Sequence, residues 1–227
     1  MRFGDFIWLA LFAAISYLLI NPEIRETVMR AAVAERYSTG FVAFSLTGAL
    51  GEALIVRFSQ KKYPSFLTSG LAAIRWGLYG LVAALGFWLI NGGVVMTQAT
   101  GILPGGGYNF SASRIQVFFG SFFFTEPFFT SVFVNLCLLF PFMFIHYMGR
   151  AAAHIIVDER RFPKLSLIVA KVDWAGFFKT EILYMPLFRI PMMTIIFMLP
   201  QELWLPLGAW TSIILIGVGA FGRPKTT

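Results

Sequence analysis

Charge, cysteine and histidine are all scarce in this chain, and each scarcity removes a class of protein. Only 13% of the 227 residues are charged, about half the ~25% of an ordinary soluble domain. A typical soluble globular fold and a disordered chain both need more ionic surface than that. The one cysteine, Cys137, cannot close an internal disulfide, so a disulfide scaffold is excluded and no redox compartment is indicated. His146 and His154 are the only histidines. Their spacing puts them about 12 Å and about 80° apart on a continuous helix, too far to share one metal ion.

The catalytic signatures are missing too. There is no H-E-x-x-H, C-x-x-C, G-x-S-x-G or Walker A pattern, each of which sets ligands or a nucleophile at fixed spacing. Histidine clusters for a di-iron site are absent, as is the paired Asp or Ser/His set of an intramembrane protease. Gly105-Gly106-Gly107 opens no strand-to-helix phosphate motif and reads as a turn. These absences predict a non-enzymatic protein with no metal and no cofactor. A haem held by His146 alone and a lipid-modifying enzyme are the alternatives, the second requiring a metal or a clustered acid–base site.

What the chain has is apolar surface. Hydrophobic residues make up 58% of it, 26 residues are Phe, and the mean hydropathy is +0.75. A soluble core of this size cannot hide so much. The fold class that follows is all-α, a polytopic transmembrane helix bundle forming one integral membrane domain over 1–227. Runs of about 18–20 apolar residues cross a ~30 Å hydrocarbon core. Six segments qualify: 3–20, 39–58, 67–90, 115–148, 177–199 and 207–221. Five crossings result if 177–199, which contains Pro186 and Pro191, is broken or re-entrant.

The first segment, with residues 1–22, reads as a retained signal-anchor helix, because no A-x-A cleavage site follows it. Residues 23–38 alternate charged and apolar positions like an interfacial amphipathic helix, and 39–222 form the bundle. Residues 91–113 read as a Gly-rich loop without Lys or Arg. The 34-residue run 115–148 reads as one helix kinked at Glu126-Pro127, since proline removes a helical hydrogen bond. Ala49/Ala53 and Gly77, Gly80, Ala84 recur at helical spacing, where small side chains let helices approach closely.

The net charge is +7. Basic residues lie between apolar runs and form no stripe with interleaved aromatics, so they point to anionic lipid headgroups rather than nucleic acid. With six crossings, Arg2, Lys61, Lys62, the 149–173 cluster, Arg223 and Lys225 share one side, against Arg25, Arg30 and Arg36 on the other. By the positive-inside rule both termini are cytoplasmic, in a bacterial inner membrane or an organelle inner membrane.

Ionisable residues within crossing segments are costly and mark functional candidates. Glu52, Glu126 and Arg189 are the deepest and are expected to face one another around a polar path or an ion-pair network. Arg75, Glu181 and Asn135 are secondary candidates. Asp5, Arg75, Lys179 and Glu181 lie near segment ends and are expected to reach the interface. Trp8, Trp76, Trp88, Trp174, Trp204 and Tyr63 fall near segment ends and read as an aromatic belt.

From residue 38 to about 222 the order of features resembles the Mpv-seventeen / peroxisomal membrane protein twenty-two family. The carriers are Gly51-Glu52 with Gln60; Arg75, Leu78-Tyr79-Gly80 and Phe87-Trp88; and Thr125-Glu126-Pro127. Thr180-Glu181, Met185-Pro186-Leu187-Phe188-Arg189, Leu199-Pro200 and Trp210 keep the spacing of the family's C-terminal signature. Glu181, Met185, Arg189 and Met192-Met193 replace the Asn, Trp, Gln and Asn-Phe usual there. The resemblance implies a small multi-helix protein with channel-like passage of small solutes.

The leading functional expectation is therefore an integral membrane protein that forms or gates a small-solute or ion path. The alternative is a structural or assembly subunit of a larger membrane complex, which the Phe-rich stretch 118–129 suits. Partners on these readings are the lipid bilayer and either a homo-oligomer or other subunits.

Overall fold

The computed structural model describes residues 3–103 and 126–221, with side chains over 3–103 and 127–216. Among the described residues the chain is almost entirely helical, without strands. Helix α1 covers Phe3–Ile20, α2 Pro22–Ala34, α3 Arg36–Gln60 and α4 Phe66–Ala99. Then α5 (Glu126–Phe142) runs through a π-helical stretch, Met143–Met148, into α6 (Gly149–Asp158). Two short helices follow, α7 (Leu165–Lys171) and α8 (Trp174–Phe177). A second π-helical stretch, Phe178–Tyr184, leads into α9 (Met185–Phe197), and α10 (Trp204–Phe221) closes the chain.

Among the described residues five helices are long and apolar enough to cross a membrane: Phe3–Ile20, Arg36–Gln60, Phe66–Ala99, Pro127–Asp158 and Trp174–Phe197. The last runs unbroken for 24 residues despite its prolines. The sixth expected segment, α10, is an 18-residue helix packed along α3. The protein is thus an all-α integral membrane bundle.

Several boundaries differ from expectation. Helix α4 does not stop at Ile90 but continues to Ala99, so the first part of the expected 91–113 loop is helical. Asn91, Val94 and Gln98 lie on one buried face, and Asn91 Nδ2 donates to Thr130 Oγ1 at 3.1 Å. That polar packing against α5 extends the helix past the glycines. The fourth crossing runs on to Asp158 instead of ending at Met148. An irregular, π-helical turn follows Pro141, while the stretch before Glu126 that a kink at Glu126-Pro127 would involve lies outside the described residues. Pro141 cannot donate to the carbonyl of Cys137 and crowds it, which widens the following turns.

The core is built on a close α3–α4 seam. A Cβ on Gly80 would lie 2.2 Å from the Gly40 carbonyl oxygen, and one on Gly48 only 2.0 Å from Trp76 Cγ. Gly77, Gly80 and Ala84 therefore serve the close approach expected of them. On α3 the matching face is Gly40, Phe44 and Gly48 rather than Ala49 and Ala53. Helix α1 buries none of its residues and is held from outside. Trp8 Nε1 donates to the Leu50 carbonyl at 2.8 Å, Trp210 Nε1 to Ser16 Oγ at 3.1 Å, and Arg57 binds Asp5 through both Nε and Nη2.

Asp5, Arg57 and Tyr63 meet at one end of the bundle, where Lys61, Lys62, Arg160, Arg161, Lys164 and Lys171 also cluster. At this basic end Glu159 binds both Lys171 and Arg161, clipping the connection after α6. These cations, Lys171 first, hold the Glu159 carboxyl below its usual range. A depressed carboxylate pKa stabilises the clip above the unfolded value and loses it as pH falls through the folded one. Acidification from pH 5 to 3 is therefore expected to speed hydrogen exchange over 159–171 in the parent. In Glu159→Gln that acceleration should be absent.

Candidate functional site

Two ion pairs, each with one buried and one half-buried member, face the interior of the bundle. In the first, Arg75 Nη2 donates to both oxygens of Glu52 at 3.0 and 2.8 Å. Trp76 Nε1 adds a bond to Glu52 Oε1 at 2.9 Å. The local sequence explains the contact. Gly48 sits one turn before Glu52 and leaves the space that the Trp76 indole occupies. Gly149 does the same for the Arg75 side chain, whose Cδ would be 2.8 Å from a Cβ there.

In the second pair, Arg189 Nη2 donates to Glu181 Oε2 at 2.9 Å and Tyr147 Oη donates to Oε1 at 3.2 Å. The Arg189 guanidinium also lies over the Phe142 ring, 5.3 Å from its centroid. Glu181 and Tyr147 both belong to π-helical stretches, the one before Pro186 and the one after Pro141. Wider turns of this kind re-aim side chains inward and recur at functional sites.

His146 stands between the pairs. It is 7% exposed, with its ring 3.9 Å from Trp76, 4.4 Å from Phe142 and 5.4 Å from Tyr79, centroid to centroid. Its Nε2 is buried without a hydrogen-bond partner. His154 lies apart on the surface, paired with Asp158 at 3.0 Å. Among the described residues no three His, Cys, Asp or Glu side chains gather as a metal site.

A cavity of about 300 Å³ joins these groups. Glu52, His146, Tyr147, Glu181 and Arg189 are in its wall, together with Trp76, Tyr79, Phe142 and Leu138. At the basic end it reaches Arg150, His154, Lys171 and Asp173, of which His154 and Lys171 have side chains 61% and 39% exposed. At the inner end the wall stops at Phe44, Phe87, Asn135 and Gly208. Beyond lies an aromatic cluster. Phe197 is 5.3 Å from Phe87 and 4.9 Å from Trp204, which is 5.5 Å from Trp88, centroid to centroid. The cavity is thus open toward one end of the bundle and backed by packed rings toward the other.

The sequence candidates are placed as follows. Glu52 and Arg189 share the cavity, but each is neutralised by its own partner rather than by the other. The side chain of Glu126 lies outside the described residues. Asn135 is buried at 8%; its Nδ2 donates to the Ser131 carbonyl at 2.8 Å and its Oδ1 has no partner. Two expectations are corrected. Arg75 and Glu181 do not reach the interface; they are 8% and 6% exposed and supply the second half of each pair. Nor do all tryptophans form a belt, since Trp76 and Trp204 are in the core. Sequence reading found no sign of Tyr147, suggested the belt for Trp76 and only the family resemblance for Tyr79, and assigned His146 no role in the polar network. Pro141 and Pro186, one flanking each π-helical stretch, were the one available signal. The Phe-rich stretch is described only from residue 127, where Phe128 and Phe129 pack edge to face.

Comparison with family models, characterised proteins and solved structures gives no match to this chain.

Proposed function

We propose that this protein is a non-enzymatic integral membrane protein whose bundle interior forms a gated path for a small solute. One observation carries the reading: a single cavity collects Glu52, His146, Glu181 and Arg189 and opens toward one end of the bundle. Ionisable groups inside a membrane domain are retained where they face a cavity or a pathway. The resemblance to the Mpv-seventeen / peroxisomal membrane protein twenty-two family, carried by Gly51-Glu52, Arg75 and the 180–189 spacing, supports the same class. The cluster of Phe87, Phe197 and Trp204 acts as the closed gate, and the basic end faces the cytoplasm, following the distribution of Lys and Arg.

The path is tested by flux from proteoliposomes. Phe197→Ala and Trp204→Ala are expected to raise the release of small solutes several-fold over the parent, by thinning the aromatic barrier. Glu52→Gln is expected to shift permeation toward anions, because the charge of Arg75, directly behind Glu52, is then uncompensated next to the cavity. Parental flux in both aromatic variants would falsify the gate. Parental ion selectivity in Glu52→Gln would remove the cavity from the permeation route.

A further inference from the structure

The same cavity has an imbalance of hydrogen-bonding capacity that identifies a ligand class, and this step rests on the cavity-path reading above. The two carboxylates nearest His146 are occupied. Glu52 receives Arg75 on both oxygens and Trp76 on one, and Glu181 receives Arg189 on one oxygen and Tyr147 on the other. The donors are not used up. A guanidinium has five N–H groups, yet Arg189 hydrogen-bonds through Nη2 alone, and its side chain keeps 16% exposure within the cavity wall. Behind the wall Arg75 Nε is a further buried donor without a partner, and in the wall His146 Nε2 has none, whichever tautomer it takes. The surplus acceptor, Asn135 Oδ1, lies about three helical turns from His146, at the inner end.

The two pairs beside His146 are each balanced in charge, Arg75 on α4 against Glu52 on α3 and Arg189 on α9 against Glu181 before α9. What they leave over is N–H donors rather than acceptors. The remaining wall is aromatic and aliphatic: Phe44, Tyr79, Phe87, Leu138 and Phe142. A volume near 300 Å³ is at the small end of ligand cavities. Such walls are a poor place for a strongly hydrated dianion, which loses too much solvation. They suit a single charge attached to an apolar body.

We infer that the cavity binds a small organic monoanion, a carboxylate on an aromatic or short aliphatic body, entering from water at the basic end. Its carboxylate meets the unused N–H groups of Arg189 beside His146, and its body lies against Phe142, Tyr79 and Leu138. A planar carboxylate matches the guanidinium fork, and charge-assisted bonds of this kind are the strong ones.

The test uses the full chain in nanodiscs and three soluble probes with one body and different heads: 4-phenylbutyrate, 4-phenylbutanol and 4-phenylbutylamine. Saturation-transfer NMR measures binding, with empty nanodiscs as the blank for partition into lipid. The carboxylate is expected to bind roughly tenfold or more tightly than the alcohol and the amine, the worth of a charge-assisted hydrogen bond. The double variant Glu181→Gln with Arg189→Gln keeps a hydrogen-bonding pair without charge. It is expected to lose that preference while melting at the parental temperature. Equal binding of all three heads, preference for the amine, absence of saturable binding, or a preference that survives in the folded double variant each overturns the inference. If the double variant fails to fold, the three-head comparison on the parent decides. Binding is read without a gradient. A chain that binds the carboxylate but passes no solute therefore sinks the path and keeps the ligand, and one that conducts without head-group preference does the reverse.

Discussion

Glu181→Ala is expected to destabilise the bundle by about 3–5 kcal/mol, the cost of leaving one member of a buried ion pair without its partner. The side chains of Glu181 and Arg189 are 7% and 16% exposed, so water does little to replace the lost carboxylate. Tyr147 Oη loses its acceptor in the same step. Removing both charges tests the cause. Glu181→Leu combined with Arg189→Met leaves no uncompensated ion and is expected to recover most of the loss, since well-packed apolar replacements of a buried pair are often neutral. Thermal melting in detergent, with the two single and the double variants compared as a cycle, separates the pair from its neighbours. A loss of under ~1 kcal/mol for Glu181→Ala would place the pair in the range of solvated surface bridges and show the cavity to be well hydrated there.

Gly80→Val is expected to be the most damaging single change at a residue without a side chain. Even one added carbon would lie 2.2 Å from the Gly40 carbonyl oxygen. The neighbour is backbone and cannot rotate away, so α3 and α4 must separate. Overpacking of this kind costs about 1–3 kcal/mol and occasionally more. Separation here also pulls Trp76 from the recess over Gly48 and strains the Glu52–Arg75 contact behind it. The expected result is a lower melting temperature together with loss of the basal flux. Gly92 is the control: it lies in the same helix, and a Cβ there meets nothing within 4 Å. Gly92→Ala is expected to be neutral or to stabilise by up to ~1 kcal/mol through helix propensity. Equal effects of the two substitutions would show that glycine flexibility, not close approach, matters in α4.

The two variants probe levels of organisation that were unequally legible in the sequence. The small-residue spacing Gly77, Gly80, Ala84 was readable because helical periodicity is local, and it marked the correct face of α4. The ion pairs were not. Arg75 lies only nine residues into its helix, which by position alone suggests a side chain that reaches the interface. It is buried because Glu52, from another helix, offers a carboxylate at 2.8 Å. Glu181 looked interfacial for the same reason and is buried because a π-helical stretch and Arg189 turn it inward. The loop expected over 91–113 was drawn from its glycines, yet the buried face of Asn91, Val94 and Gln98 outweighed their low propensity. Glu126, the third residue of the expected polar network, has no described side chain on which that grouping can be judged.

What the sequence by itself determined is the solvent. With 13% charge and a mean hydropathy of +0.75, the chain can satisfy its backbone only as helices in a bilayer, and apolar run length sets their approximate number. Tertiary structure alone decided which charges meet. Hydropathy is a sum over neighbours in the chain, whereas an ion pair depends on the rotation and depth of two helices far apart in sequence. Glycine contacts such as Gly48 under Trp76 and the wide turns beside Pro141 and Pro186 set that rotation. The few charged residues noticed first as a scarcity thus became two paired sites with donors to spare, facing one cavity.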